Sequence, residues 1–276
     1  MRCRYRESLY ECGDYLEGDV YPVFHTAPKK RRTKYKPTRA MQEKLNQRNA
    51  ERALARLLNA NFSYGDIEVS LTYAPEHLPA CDEHAERDCV NFIRRVKRLR
   101  AKMNLGEIKY IKVTGGGTRY HHHVVMSGGI TRESIEELWG KGFANARRLS
   151  PNEDGLAGLG YYICRQLCDE DIYNGLDLFS EFDINEETGE LTEREGISRK
   201  KGKRRWSASK NLIRPEPVIT DGRIPQYKVQ ELCTVDSANR AEFEALYPGY
   251  SFVRCEAQYN EDNGGWYLHI RMRRRK

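Results

Sequence analysis

Between residues 67 and 167 the apolar pattern switches repeatedly between two periods, and that alternation restricts the fold more than any other feature of the chain. Ile67, Val69, Leu71 and Tyr73 fall on one side of an extended segment and Glu68, Ser70 and Thr72 on the other, which predicts a half-buried strand closed by Pro75 and Pro79. Over residues 82–103, Phe92, Val96, Leu99 and Met103 recur at helical spacing, with basic residues on the other faces. Residues 107–114, rich in Ile and Val, read as a second strand. Gly115-Gly116-Gly117 then turns the chain into a third strand over 119–127, ended by Gly128-Gly129. Thr131 is the expected N-cap of a short helix through Trp139, residues 142–149 a fourth strand, and 156–167 another helix. The order β-α-β-β-α-β-α predicts an α+β fold, a mostly antiparallel central sheet with helices packed on one face.

The flanks are read differently. Residues 1–37 look irregular and basic, with Pro22, Pro28 and Pro37 as breakers, and a helix is expected from about 38 to 60 behind Thr38. Residues 170–205 read as an acidic and then basic surface insertion, and strands are expected near 251–258 and 266–273. This divides the chain into a basic arm and helix (1–62), a main domain (63–216), and a β extension packed on that domain (217–276).

The 276 residues hold 39% hydrophobic side chains, enough for a real core, but no apolar run of the roughly 18 residues that a membrane helix needs. Charges without an apolar stretch follow Met1, so no secretory signal is expected, and the predicted location is the cytoplasm with no membrane partner. Eight cysteines with no Cys-x-x-Cys pair fit reduced thiols; Cys81, His84 and Cys89 match no common structural zinc spacing. The net charge of +7 is clustered at 29–39, 94–102, 199–205 and 271–276, which favours a nucleic-acid partner, whereas the acidic 169–195 would be repelled by phosphate.

The third strand carries Arg119-Tyr120-His121-His122-His123-Val124-Val125-Met126. On a strand His121 and His123 share a face about 7 Å apart, so both imidazoles reach one divalent ion, while His122 points the other way. The alternative is histidines satisfied by hydrogen bonds alone. On the helix at 156–167, Tyr162 and Arg165 are three apart and share a face. A tyrosine is a poor nucleophile at its ordinary pKa near 10, but a metal-bound phosphate and a cation would assist its attack. Taken alone, Tyr161-Tyr162 on a helix is more often a core-packing pair.

Three segments, in this order, resemble the HUH endonuclease superfamily, specifically the rolling-circle replication initiators of phages, prophages and small plasmids. Val69-Ser70-Leu71-Thr72-Tyr73 is similar to that family's first motif. Arg119 to Val125 is similar to its His-hydrophobic-His motif, with His122 at the hydrophobic position. Tyr162-Ile163-Cys164-Arg165 is similar to its Tyr-x-x-Lys motif, with Arg165 in place of lysine. The resemblance covers roughly 35–276. It implies that His121 and His123 hold Mg²⁺ or Mn²⁺ and that Tyr162 attacks a phosphodiester of single-stranded DNA at a replication origin. The products would be a 5′-phosphotyrosine bond and a free 3′-OH, with Arg165 offsetting phosphate charge. Host helicase and polymerase would be the partners, since no P-loop is present.

The family's usual acidic ligand is absent from Val113 to Thr118, leaving Glu107, Glu68 or water to complete the site. The expected DNA contacts are Thr72 and Tyr73 (or these serve structure), Arg94, Arg95, Lys97 and Arg98 on the basic helix, Arg119, and Trp206, which would stack on a base or anchor the core. The competing function is a catalytically degenerate origin-binding or repressor protein.

Overall fold

The computed structural model describes residues 3–24, 39–115, 119–165, 182–184, 191–193, 206–234, 240–261 and 263–275. The chain divides into two compact units. One comprises residues 62–150 and 159–212, the other 1–61, 151–158 and 213–276.

The first unit is built on an antiparallel sheet. β3 (Ile67–Thr72) lies between β6 (Ala144–Arg148) and β5 (His121–Met126), followed by β4 (Tyr110–Gly115) and β9 (Ser207–Ala208), in the order β6-β3-β5-β4-β9. Ile67, Val69 and Leu71 are fully buried on the predicted side of β3. α2 (Asp82–Lys102) covers that face with Ala85, Cys89, Phe92, Ile93 and Val96, the last three each contributing about 1.5–3 kcal/mol when fully buried. Met103, expected on the same stripe, is instead the half-exposed C-cap. Asp82 and Glu83 in the first turn and Arg100 and Lys102 in the last complement the helix dipole. α3 (Arg132–Glu137), capped by Thr131 as expected, adds Ile135 to this core, beside the buried Trp139. α4 (Ala157–Arg165) joins the opposite face, so the helical layer expected on one side has a counterpart on the other. The α+β architecture with an antiparallel sheet is therefore present.

The second unit overturns the reading of the basic arm as irregular over its described residues, 3–24. β1 (Cys3–Cys12) and β2 (Tyr15–Phe24) form a hairpin in a sheet ordered β10-β1-β2-β12-β11, with β10 at Val218–Asp221, β11 at Tyr250–Asn260 and β12 at Gly265–Arg274. The arm and the β extension, read as separate pieces, are thus one sheet. α1 (Arg39–Asn61) packs on β1 and β2, and α5 (Gln226–Thr234) and α6 (Arg240–Leu246) supply Val229, Leu232 and Phe243 to an apolar core. Pro22 misleads as a breaker because it lies past Val20–Leu268, the last pair β2 makes with β12, where its missing N–H costs no ladder bond. Between 166 and 205 the description covers only the short antiparallel pair β7 (Phe182–Ile184) and β8 (Leu191–Glu193), so the expected insertion otherwise lies outside the described residues, as do the basic residues 29–38 and 199–205. No described helix is long and apolar enough to cross a membrane, and no described cysteine is in a disulfide.

Candidate active site

β5 presents different chemistry on its two faces. Register places Thr72 opposite His121, Leu71 opposite His122 and Ser70 opposite His123, so the odd-numbered histidines share a face with the polar side of β3 while His122 joins the core. The rings of His121 and His123 meet edge-on with centroids 5.5 Å apart. Tyr162 of α4 meets His123 in the same manner, also at 5.5 Å, and is 51% exposed. Tyr161, about 100° around the helix, is half-buried. The structure thus brings His121, His123 and Tyr162 together. Arg165 ends α4, and its side chain lies outside the described residues.

Hydrogen bonds fix which nitrogen of each histidine carries its lone pair. His121 Nδ1 lies 3.2 Å from the Arg119 carbonyl, and His123 Nδ1 lies 2.9 Å from Glu68 Oε1. Carbonyl and carboxylate oxygens only accept, so each Nδ1–H donates, and in the neutral ring the lone pair is on Nε2. Ser70 Oγ braces the pair, donating to Glu68 at 2.9 Å and lying 3.2 Å from His123 Nδ1. An acceptor behind each imidazole is the usual support for a metal-bound histidine. Gly115 faces His121 across the β4–β5 ladder, and a Cβ there would collide with the ring at Nε2 and Cε1. Two imidazole nitrogens are donors that a divalent ion takes, with water and phosphate oxygens in its other positions, but His121 Nε2 is buried beside Gly115, so that ring must turn before its Nε2 meets an ion. Among the described residues no group of three or more His, Cys, Asp or Glu side chains is placed to hold a metal ion.

Of the acids proposed to complete that site, Glu68 is 7% exposed and orients His123. Glu107 is excluded by register: Tyr110 pairs with Met126, roughly 16 Å along the strand from His121 at the usual rise per residue, and Glu107 lies three residues further on.

His122 belongs to the fold. Its Nε2 is 2.8 Å from the Tyr73 hydroxyl, its Nδ1 is 3.0 Å from Thr114 Oγ1, and its ring packs edge-on to Trp139. Thr114 Oγ1 lies 3.3 Å from Glu86, which also pairs with Lys112. Since the carboxylate accepts, Thr114 donates to it and accepts from Nδ1–H, and Tyr73 donates to Nε2. Burial, with smaller contributions from Lys112, His121 and His123, pushes His122 down to about 3, so the ring is neutral. Burial likewise pushes the Tyr73 phenol up.

Several expected DNA contacts are corrected. Tyr73 is 2% exposed and its hydroxyl bonds His122, so it does not meet a ligand. Arg94, Arg95, Lys97 and Arg98 ride on α2, on the far face of the sheet from His121 and His123, so they do not grip a phosphate held there. Arg95 moreover donates to the carbonyls of Leu138 and Trp139 at 2.8 and 3.0 Å, tying α2 to the end of α3. Arg94, Lys97 and Arg98 remain an exposed basic surface. The basic run at 271–276 is mostly engaged: Arg271 is fully buried against Glu17, and Arg275 pairs with Glu244. Thr72 does lie on the histidine face, its hydroxyl donating to the Phe143 carbonyl, and exposed Arg119 enters β5 beside it while donating to the Tyr73 carbonyl. Trp206 is half-buried just before β9. The sequence reading missed the roles of Ser70 and Gly115; the signal available was a glycine placed across a two-strand turn from a histidine.

No protein-family model matches the chain, and neither a curated protein nor a solved structure does.

Proposed function

We propose that the chain is a single-stranded DNA endonuclease and strand transferase that initiates rolling-circle replication, with Tyr162 as nucleophile. The observation that carries this reading is the edge-to-face row of His121, His123 and the half-exposed Tyr162 on one face of the sheet. Mg²⁺ or Mn²⁺ held by Nε2 of His121 and His123 would supply Lewis-acid polarisation of the scissile phosphate. Glu68 and Ser70 hold His123 in its ligating tautomer, and the Arg119 carbonyl does the same for His121. Tyr162 Oη bonds to phosphorus as the P–O3′ bond breaks. The phenolic proton passes to water, and the 3′ oxygen takes a proton from water and leaves as a hydroxyl. The product is a 5′-phosphotyrosine, and attack by a 3′-OH reverses the step and reseals a strand. Origin DNA, host helicase and polymerase are the partners of this reading.

The test is covalent labelling. The protein is incubated with Mn²⁺ and a random-sequence pool of 3′-labelled single strands, then run on a denaturing gel. A labelled band is expected, lost in Tyr162→Phe and kept in Tyr161→Phe. Loss in Tyr161→Phe with retention in Tyr162→Phe would move the nucleophile by one residue. No band with any divalent metal would leave a DNA-binding protein without this chemistry.

A further inference from the structure

The sheet face that carries the histidines is covered on one half and open on the other. Over β4 and β5, Ile111, Val113 and Val125 are each about 1% exposed. Over β6 the same face is open among the described residues. Register runs a row from His121 through Thr72 to Phe143, a second from His123 through Ser70 to Asn145, and a third from Val125 through Glu68 to Arg147. Directly opposed residues of antiparallel strands share a face, so Phe143, Asn145 and Arg147 stand on the same side as His121, His123 and Tyr162. Their neighbours Ala144 and Ala146 point into the core instead. Phe143 is 69% exposed, Asn145 is half-buried and Arg147 is exposed.

We propose that this open face of β6 is the track for the unpaired DNA strand beside the scissile phosphate, with Phe143 as the platform on which a base stacks. The inference rests on the endonuclease reading for the identity of its ligand. Two strand spacings, about 10 Å, separate Phe143 from His121, within reach of a base on a nucleotide adjoining the phosphate. Phe143 to Arg147 spans about 13 Å along the strand, room for a base on the ring and a phosphate on the guanidinium, with the Asn145 amide between them. The track is continuous with the histidine row, and Arg119 at one end and Arg147 at the other match a polyanion in charge. An isolated exposed phenylalanine is unremarkable. One in register with the reactive row, on the uncovered half of its face, has a ligand-sized reason to be there.

The test is a double cycle read by fluorescence anisotropy on the full chain in EDTA, where no strand is cut. The probes are a short thymidine oligonucleotide and an abasic deoxyribose-phosphate strand of equal length. Phe143→Ala is expected to weaken thymidine-strand binding roughly 5- to 150-fold while leaving abasic-strand binding unchanged, and Phe143→Trp to retain wild-type binding. Arg147→Ala is expected to weaken both strands equally and to lower the salt slope by about 0.7. Equal loss on both strands in Phe143→Ala, or no loss on either, overturns the stacking platform, and Phe143→Trp shows whether an aromatic at that position suffices. Covalent labelling without the cycle would sink this inference alone. The cycle without labelling would keep the track and remove the endonuclease.

Discussion

His122→Leu and Tyr73→Phe, made singly and together, separate the core side of the histidine strand from the side that carries His121 and His123. In the single variant His122→Leu, the Tyr73 hydroxyl, on a residue 2% exposed, loses its 2.8 Å partner. Leaving a buried hydroxyl without its bond costs about 1–3 kcal/mol. Tyr73→Phe strands the acceptor nitrogen instead, at a similar cost of about 1–3 kcal/mol. The double variant buries two apolar groups of comparable shape, so it should be more stable than the sum of the singles predicts by about 1–3 kcal/mol. Urea unfolding followed by tryptophan fluorescence reads this, provided the slope on denaturant stays constant. A second readout is pH. With His122 pushed down to about 3 in the folded chain, the unfolded chain takes up a proton first as pH falls below about 6.5. Wild-type stability should therefore decline from pH 6.5 toward 3, by about 3 kcal/mol at pH 4 from this residue, and His122→Leu should lose that part of the slope. Covalent labelling should survive in His122→Leu, because the ring lies on the other face. Costs that simply add, or loss of labelling in His122→Leu, would refute the assignment of this histidine to the core.

Gly115→Ala should leave the fold intact but drive the His121 ring from its place, so Mn²⁺ binding followed by electron paramagnetic resonance and DNA labelling should fall together; unchanged Mn²⁺ binding would argue against His121 as a ligand. In the other unit, burial acts to raise the Asp19 carboxyl, but the His269 hydrogen bond and Arg56 outweigh it and hold it well below the ordinary range. The stability it contributes is present above about pH 4 and lost as pH falls further, so Asp19→Asn should cost about 3 kcal/mol at pH 7 and flatten the acid limb of a melting-temperature profile.

The legible parts of the sequence were those where local period and burial agree. Ile67, Val69 and Leu71 alternate with polar residues and are buried as the pattern says, and Phe92 and Val96 do the same for α2. His121 and His123 were legible because a strand's two-residue period settles their face whatever the tertiary context. The first strands were not. β2 turns Glu17 and Asp19 inward, where Glu17 meets Arg56 and Arg271 while Asp19 meets Arg56 and His269. Two carboxylates in a short stretch read as solvent-facing unless their partners, tens to hundreds of residues away, are known. The basic runs failed in the converse way: a cation count says nothing of Arg95 holding two carbonyls or Arg271 lying in the interior. Phe143 went unnoticed because its meaning is its row, which only strand register reveals.

The pairing of β2 with β12 also has a consequence for the order in which the protein comes into being. On a ribosome adding about 5–20 residues per second, Val20 waits on the order of 10–50 s for Leu268 to be made. During that interval the β1–β2 hairpin exists with the hydrogen-bonding edge of β2 open to solvent and to any neighbouring strand. β3, β4, β5 and β6 find one another within about 80 residues, so their pairing closes long before, and the two-residue β9 joins β4 afterwards. A growing chain of this protein therefore acquires its histidine strand early and seals its opening residues last, and truncations that remove Leu268 to Arg273 should appear as aggregation of the amino-terminal hairpin, not as damage around His121.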